Sequence, residues 1–174
     1  MSADGASIHA SAVLVGERAV LIRGPSGSGK SRLAYELILA GRSGVLPSAT
    51  LVGDDRICIE GRDGRLVACP APQLRGLIEV RGLGIRQIAF AADAVVGLVV
   101  DLNAEDAERL PPPDALRTTV DGIALPRIPV AKGFSALPLV VAALTTTEGY
   151  DVMRQTGDCL KGIGNHISPT IATE

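Results

Sequence analysis

Apolar residues in this chain come in short bursts separated by glycine, proline and charged residues. Ala12-Val13-Leu14-Val15 and Ala19-Val20-Leu21-Ile22 flank Gly16-Glu17-Arg18, which is the pattern of a β-hairpin. The second burst runs into a glycine-rich stretch. Beyond it Leu33, Ala34, Leu37 and Ile38 recur at helical spacing, predicting a helix over residues 30–40 with Gly41 as its C-terminal stop. The order is therefore strand, glycine loop, helix.

Residues 49–52 form a short apolar strand that ends in Gly53-Asp54-Asp55. Residues 57–60 and 65–69 flank Gly61-Arg62-Asp63-Gly64, a second hairpin signal, and Pro70 and Pro72 break that ladder. Two glycines beside Glu79 and Arg81 predict a constrained loop within residues 73–86. Residues 95–102 read as a buried strand, and residues 105–110 as a helical turn ended by Pro111-Pro112-Pro113. Pro126 and Pro129 predict that residues 123–130 form an edge strand. Residues 135–144 suit a helix or a buried strand, a helix only if Pro138 lies in its first turn. Periodicity fades after Thr145, which divides the chain into a main domain over residues 1–149 and a tail over residues 150–174.

Composition narrows the class. The 174 residues, 47% of them hydrophobic, suffice for one domain with its own core. That core is aliphatic, because Tyr35, Phe90, Phe134 and Tyr150 are the only aromatic residues. So few rings argue against base stacking on single strands, and a net charge of -2 removes the electrostatic footprint of a nucleic-acid binder. Cys58, Cys69 and Cys159 show no C-x-x-C spacing, which fits a reducing cytosol, and Cys58 and Cys69 read as small core residues. No apolar run reaches the roughly 18 residues of a membrane span, and residues 1–12 lack a signal-peptide pattern. A cytoplasmic protein with no membrane or nucleic-acid partner is expected.

Gly24-Pro25-Ser26-Gly27-Ser28-Gly29-Lys30-Ser31 matches G-x-x-x-x-G-K-[ST] without departure and sits between a strand and a helix, as that motif requires. Successive backbone N–H groups in such a loop converge on one point. Glycine leaves room for phosphate oxygens to approach, and the helix N-terminus adds its dipole. Lys30 is placed to bind the β- and γ-phosphates, and Ser31 to offer its hydroxyl to Mg²⁺. Asp54 and Asp55, at the end of a strand, stand where a sheet would deliver a metal-binding or proton-transferring carboxylate.

Taken together, His9 ahead of a hairpin, Gly24 to Ser31, Leu51-Val52-Gly53-Asp54-Asp55 and Ile78-Glu79-Val80-Arg81-Gly82-Leu83-Gly84-Ile85 resemble the catalytic domain of the HPr kinase/phosphorylase family. The resemblance runs over residues 8–144 and is strongest up to Ile85. It implies an α/β, P-loop-containing fold with a mixed central sheet flanked by helices. It also implies an ATP-dependent (or pyrophosphate-dependent), Mg²⁺-requiring kinase that phosphorylates a serine of an HPr-like carrier in a phosphotransferase system. Asp54 is then expected as the base and Asp55 as metal partner with Ser31 and Glu79. His9 is expected near the phosphates, and Arg81 and Lys132 as further phosphate contacts. Hexameric assembly is implied too.

Longer members of the family carry a separate N-terminal domain, and the resemblance leads us to expect the compact form without one, of the alphaproteobacterial type. In addition, Pro129-Val130-Ala131-Lys132-Gly133-Phe134-Ser135 stands where an arginine-rich loop is usual. Phe134 in place of arginine implies weak or absent phosphorylase activity. Two other readings compete: a nucleotide-binding regulatory module acting by contact, and a small-molecule kinase or NTPase, which lacks a base-reading motif and an arginine-rich lid.

Overall fold

The computed structural model describes residues 6–147. The first hairpin forms as its apolar bursts predict. After the two-residue β1 (Ser7–Ile8), β2 (Ser11–Val15) and β3 (Arg18–Arg23) pair antiparallel around Gly16. The helix α1 (Lys30–Arg42) buries Leu33, Ala34, Leu37 and Ile38 on the sheet.

Gly41 does not stop α1 but lies inside it. Its role is close approach: a Cβ there would lie 2.6 Å from Ala49 Cβ and 2.7 Å from Ala49 N, where α1 crosses the start of β4 (Ala49–Gly53). The helix ends at Ser43 instead, whose Oγ donates to Ala40 O at 3.1 Å.

The second hairpin pairs β5 (Ile57–Arg62) with β6 (Arg65–Pro70) through Asp63-Gly64. Both turn residues have positive φ, 49° and 71°, as a tight two-residue hairpin turn needs. A 3₁₀ turn at Pro72–Leu74 follows. The expected constrained loop proves to be a hairpin of its own, β7 (Leu77–Val80) with β8 (Gly84–Gln87), whose tip turns at Gly82. Then comes the longest strand, β9 (Ala94–Leu102).

No helical turn forms over residues 105–110; a 3₁₀ turn lies further on, at Pro113–Leu116. Asp106 in that irregular loop holds Arg127 instead, through hydrogen bonds of 2.6 and 2.9 Å. The strand β10 (Arg117–Val120) has no counterpart in the sequence reading. It joins β11 (Ile123–Val130) through Asp121-Gly122, again with two positive φ values. The edge position expected for β11 is therefore only half right. Residues 123–126 pair with β10 on one side, and residues 127–130 pair with β9 on the other. Each half is an edge where the other is paired, which accommodates both prolines. Finally α2 (Leu137–Thr145) carries Pro138 in its first turn.

Nine strands form one curled sheet, in which β3 lies between β2 and β9. Residues alternate between two cores. Val13, Val20, Ile22 and Val100 pack with α1 and α2 on one face; Ala12, Leu21, Val52 and Val99 pack on the other with Ile57, Leu66, Val120 and Leu125. Helices thus flank one face, and the second is covered by strands. Cys58 and Cys69 lie outside both cores and are half-exposed.

The sheet and both cores belong to one compact unit, Met1–Leu144; the second unit is Thr145–Glu174. The tail expected over residues 150–174, with Cys159 and His166, lies outside the described residues. Among those described, no helix is long and apolar enough to cross a membrane.

The topology places the chemistry. Strands β3, β9 and β11 are mutually parallel, and β4 runs with them because both β3 and β4 pair antiparallel to β2. All four release their following loops at one edge. Below that edge Asp101 on β9 accepts from Arg23 Nε at 2.7 Å and Nη2 at 2.8 Å, and from Arg127 Nε, tying three strands together. Burial works against the Asp101 carboxylate, but the two arginines outweigh it and hold its pKa below the ordinary value. Hydrogen bonding to Asp106 raises the pKa of Arg127.

Two outcomes are expected. Gly41→Ala improves helix propensity by up to about 1 kcal/mol. Overpacking against Ala49 should nevertheless make it a net loss of about 1–3 kcal/mol in urea unfolding. Asp101→Asn should cost about 2 kcal/mol at pH 7, because Arg23 loses its carboxylate and is left with Thr118, while Arg127 keeps Asp106. The carboxylate's contribution is complete above its unfolded pKa and vanishes as pH falls through the lowered folded value. The gap between wild type and variant should therefore close in acid.

Candidate active site

The loop between β3 and α1 has the backbone that its glycines permit. Gly24, Gly27 and Gly29 have φ of 149°, 77° and 97°. Gly24 is required by contact, since a Cβ would lie 2.7 Å from Ser28 Oγ and 2.9 Å from Leu102 O. At Gly27 and Gly29 a Cβ would meet nothing within 4 Å, so the loop surrounds open space. Gly29 is the N-cap of α1, with no side-chain cap and no acidic residue in the first turn, which leaves the helix N–H groups free for an anion. Ser28 Oγ is buried without a hydrogen-bond partner among the described residues.

Lys30 is buried, and its Nζ donates to Gly24 O and Pro25 O, each at 3.0 Å. Burial lowers its pKa, against the pull of Asp54 and Asp55. A buried ammonium held only by neutral carbonyls is poised to exchange them for a charged ligand.

Asp54 is 4% exposed and sits at the junction of three elements. Its Oδ1 accepts from Ser11 Oγ on β2 and from Ser31 Oγ on α1, the latter at 2.9 Å, and its Oδ2 accepts from the Glu79 backbone N–H on β7 at 3.2 Å. Asp55 has φ 66° and turns the opposite way. Its side chain is 68% exposed, and its Oδ1 lies 3.2 Å from His9 Nε2. The adjacent carboxylates are thus separated into a buried, fully partnered one and an open one.

A cleft of about 1110 Å³ joins these groups, lined by His9, residues 26–31, Asp54, Asp55, Glu79 and Arg81. Gly24 and Pro25 contribute carbonyls from behind. Lys132 is exposed and does not line the cleft, because the turn that bonds Phe134 N–H to Ala131 O presents Gly133 and Phe134 instead. Two lining or supporting residues escaped the sequence reading. Ser11 showed only as a polar residue at the head of an apolar burst, although it is fully buried under Asp54. Asn103, with φ 57° just past β9, had no motif to mark it.

The donor set suits a nucleotide and its metal. Open space inside the glycine loop, the orphaned Ser28 hydroxyl and uncapped N–H groups fit phosphate oxygens. The hydroxyl of Ser31 beside the Asp54 carboxylate is an all-oxygen pair of the kind Mg²⁺ takes.

A strand, glycine cradle and helix beside a strand-end carboxylate pair define a P-loop phosphate-binding protein. Comparison with known proteins makes this specific: residues 2–156 match the model of the HPr serine kinase C-terminal domain. The chain belongs to that family. It is 37% identical over 166 residues to the HPr kinase/phosphorylase of Enterococcus faecalis, covering 85% of this chain and 51% of the relative. It is 36% identical over 170 residues to that of Streptococcus pneumoniae, covering 87% and 52%. The chain therefore spans about half the length of the curated relatives it matches. The Hpr(Ser) kinase/phosphatase structure from Coxiella burnetii superposes with a TM-score of 0.63 at 25% identity, covering 88% of this chain and 99% of that one.

If the cradle is an anion site, pyrophosphate should raise the melting temperature, with about 2.7 kcal/mol added at a hundredfold its Kd. Lys30→Ala should abolish the shift; a shift of equal size in that variant would remove the site from this loop.

Proposed function

We propose that this protein is an ATP-dependent kinase of a serine hydroxyl on an HPr-like phosphocarrier. The single observation that supports this best is the part-buried Ser31–Asp54 pair set beside an open Asp55–His9 pair at the mouth of a phosphate cradle. In this reading the protein works in the cytoplasm as a homo-oligomer, a hexamer by its family likeness, with no nucleic-acid or membrane partner. Pyrophosphate is an alternative donor, since the groups described above all engage phosphate oxygens or the metal.

The geometry favours exchanging the roles that the sequence suggested for the two aspartates. Asp54 is buried and accepts from three donors, which leaves about one of its roughly four lone-pair sites for the metal beside the Ser31 hydroxyl, with Glu79 close by. Mg²⁺ held there would neutralise phosphate charge. Asp55 is open to an incoming protein, and His9 Nε2 at 3.2 Å is its side-chain partner among the described residues. Asp55 then accepts the proton of the serine hydroxyl as oxygen attacks the terminal phosphoryl group, while His9 Nε2 orients the carboxylate. Lys30 leaves the Gly24 and Pro25 carbonyls to hold the β- and γ-phosphates, and Arg81 contributes charge from the hairpin tip.

The reverse reaction, in which inorganic phosphate takes the phosphoryl group from phosphoserine, needs a second anion in the same cleft. Phe134, 75% exposed on its rim, brings no charge there, and Lys132 is not among the residues that line the cleft. Weak phosphorolysis belongs to the same proposal.

With ATP, Mg²⁺ and an HPr-like carrier, mass spectrometry should find phosphoserine. Asp55→Asn should lower kcat by about 10²–10⁴ while leaving nucleotide binding intact. Asp54→Asn should instead raise the Mg²⁺ concentration required. The opposite pattern would restore Asp54 as the base, and phosphoserine formed equally by both variants and Lys30→Ala would overturn the kinase reading.

A further inference from the structure

Cys58 on β5 and Cys69 on β6 are directly opposed in the antiparallel ladder. Cys58 alternates with the buried Ile57 and Ile59, so both thiols project from the sheet face away from the second core and are half-exposed. Arg56 O accepts from Ala71 N–H across this ladder, whereas Ile59 N–H points away to Ala6 O. Backbone groups alternate sides along a strand, so those of Cys58 face β6. The two cysteines therefore form a hydrogen-bonded pair, with Cα atoms roughly 5.5 Å apart. That spacing falls where disulfide-bonded Cα atoms are commonest. The Cys69 thiol already leans across the ladder, with Sγ 3.7 Å from Cys58 O.

We propose that Cys58 and Cys69 are a site of reversible thiol oxidation, closing into a cross-strand disulfide when a small disulfide such as oxidised glutathione is present. Burial raises the pKa of Cys69, the nearby Cys58 adds to it, and Arg62 opposes both, which disfavours the Cys69 thiolate. The exchange ends at the same product whichever cysteine opens it, so Cys58 stands here for the attacking one. Its thiolate cleaves the glutathione disulfide, forming a mixed disulfide and releasing one glutathione thiolate. Cys69 loses its proton and displaces the second glutathione. Two electrons pass from the protein dithiol to one glutathione disulfide, giving two reduced glutathione molecules and no other product.

Reversibility follows from the ladder. Opposed Cβ atoms lie about 4.5–5.5 Å apart, whereas a disulfide draws them to about 3.5–4.5 Å. Closure must therefore tilt the two Cβ atoms toward each other, away from the directions the ladder gives them, and such strain makes a disulfide easier to reduce. The site is separate from the phosphate cleft and stands whether or not the kinase reading does.

The test uses the full chain with Cys159→Ser, leaving these two thiols alone. After equilibration with oxidised glutathione and a maleimide quench, intact mass should show two thiols lost without added glutathione. Non-reducing peptide mapping should link Cys58 to Cys69 within one chain, and reduced glutathione should reopen the link. Cys58→Ser should end at unlinked protein. Two thiols still alkylated, a stable glutathione adduct, or links only between chains would overturn the site. A link that survives excess reduced glutathione would overturn its reversibility.

Discussion

The buried carboxylate of Asp54 is the interaction on which the site depends. A charge 4% exposed needs donors, and it finds them on three separate elements: the Ser11 hydroxyl of β2, the Ser31 hydroxyl of α1 and the Glu79 amide of β7. One anion thereby fixes the first turn of α1, and with it the glycine loop, against the sheet. It also docks a hairpin that otherwise pairs only with itself. The same anchoring forces its neighbour outward, since Asp55 leaves the strand with positive φ and meets His9. Two adjacent carboxylates acquire different chemistry because the backbone turns between them.

Around that anchor the sheet acts as an aiming device. Four strands run in one direction and end at one edge, so the loops after β3, β4, β9 and β11 converge on the cleft. Asp101, clasped by Arg23 and Arg127, binds the last turns of three of these strands immediately below it. Arg23 directly precedes Gly24, so this clasp sets where the glycine loop departs.

Much of this was legible along the chain. The first two hairpins, α1, β9 and the phosphate loop each carry a local signal: an apolar period, an Asp-Gly turn, or glycines where positive φ is needed. The failures have local causes too. Gly41 carried the usual signal of a helix stop, but its real constraint is Ala49, eight residues away and across a packing interface. β10 was missed because its burst is short and polar, although Asp121-Gly122 offered the same turn signal that revealed the second hairpin. Residues 105–110 read as a helical turn, but Arg127, from a distant strand, claims Asp106 in their midst.

The sequence by itself determined the chemistry on offer: a phosphate cradle, a lysine and hydroxyl at its mouth, and a strand ending in two carboxylates. These rest on spacing over a few residues, where backbone geometry follows directly from residue type. Only the tertiary structure decided what each group does. Ser11 became a hydrogen-bond donor to Asp54, Lys132 fell outside the lining of the cleft, and Cys58 came to face Cys69. Burial, strand register and the direction of a side chain at a loop depend on partners tens of residues away, and no local pattern encodes them.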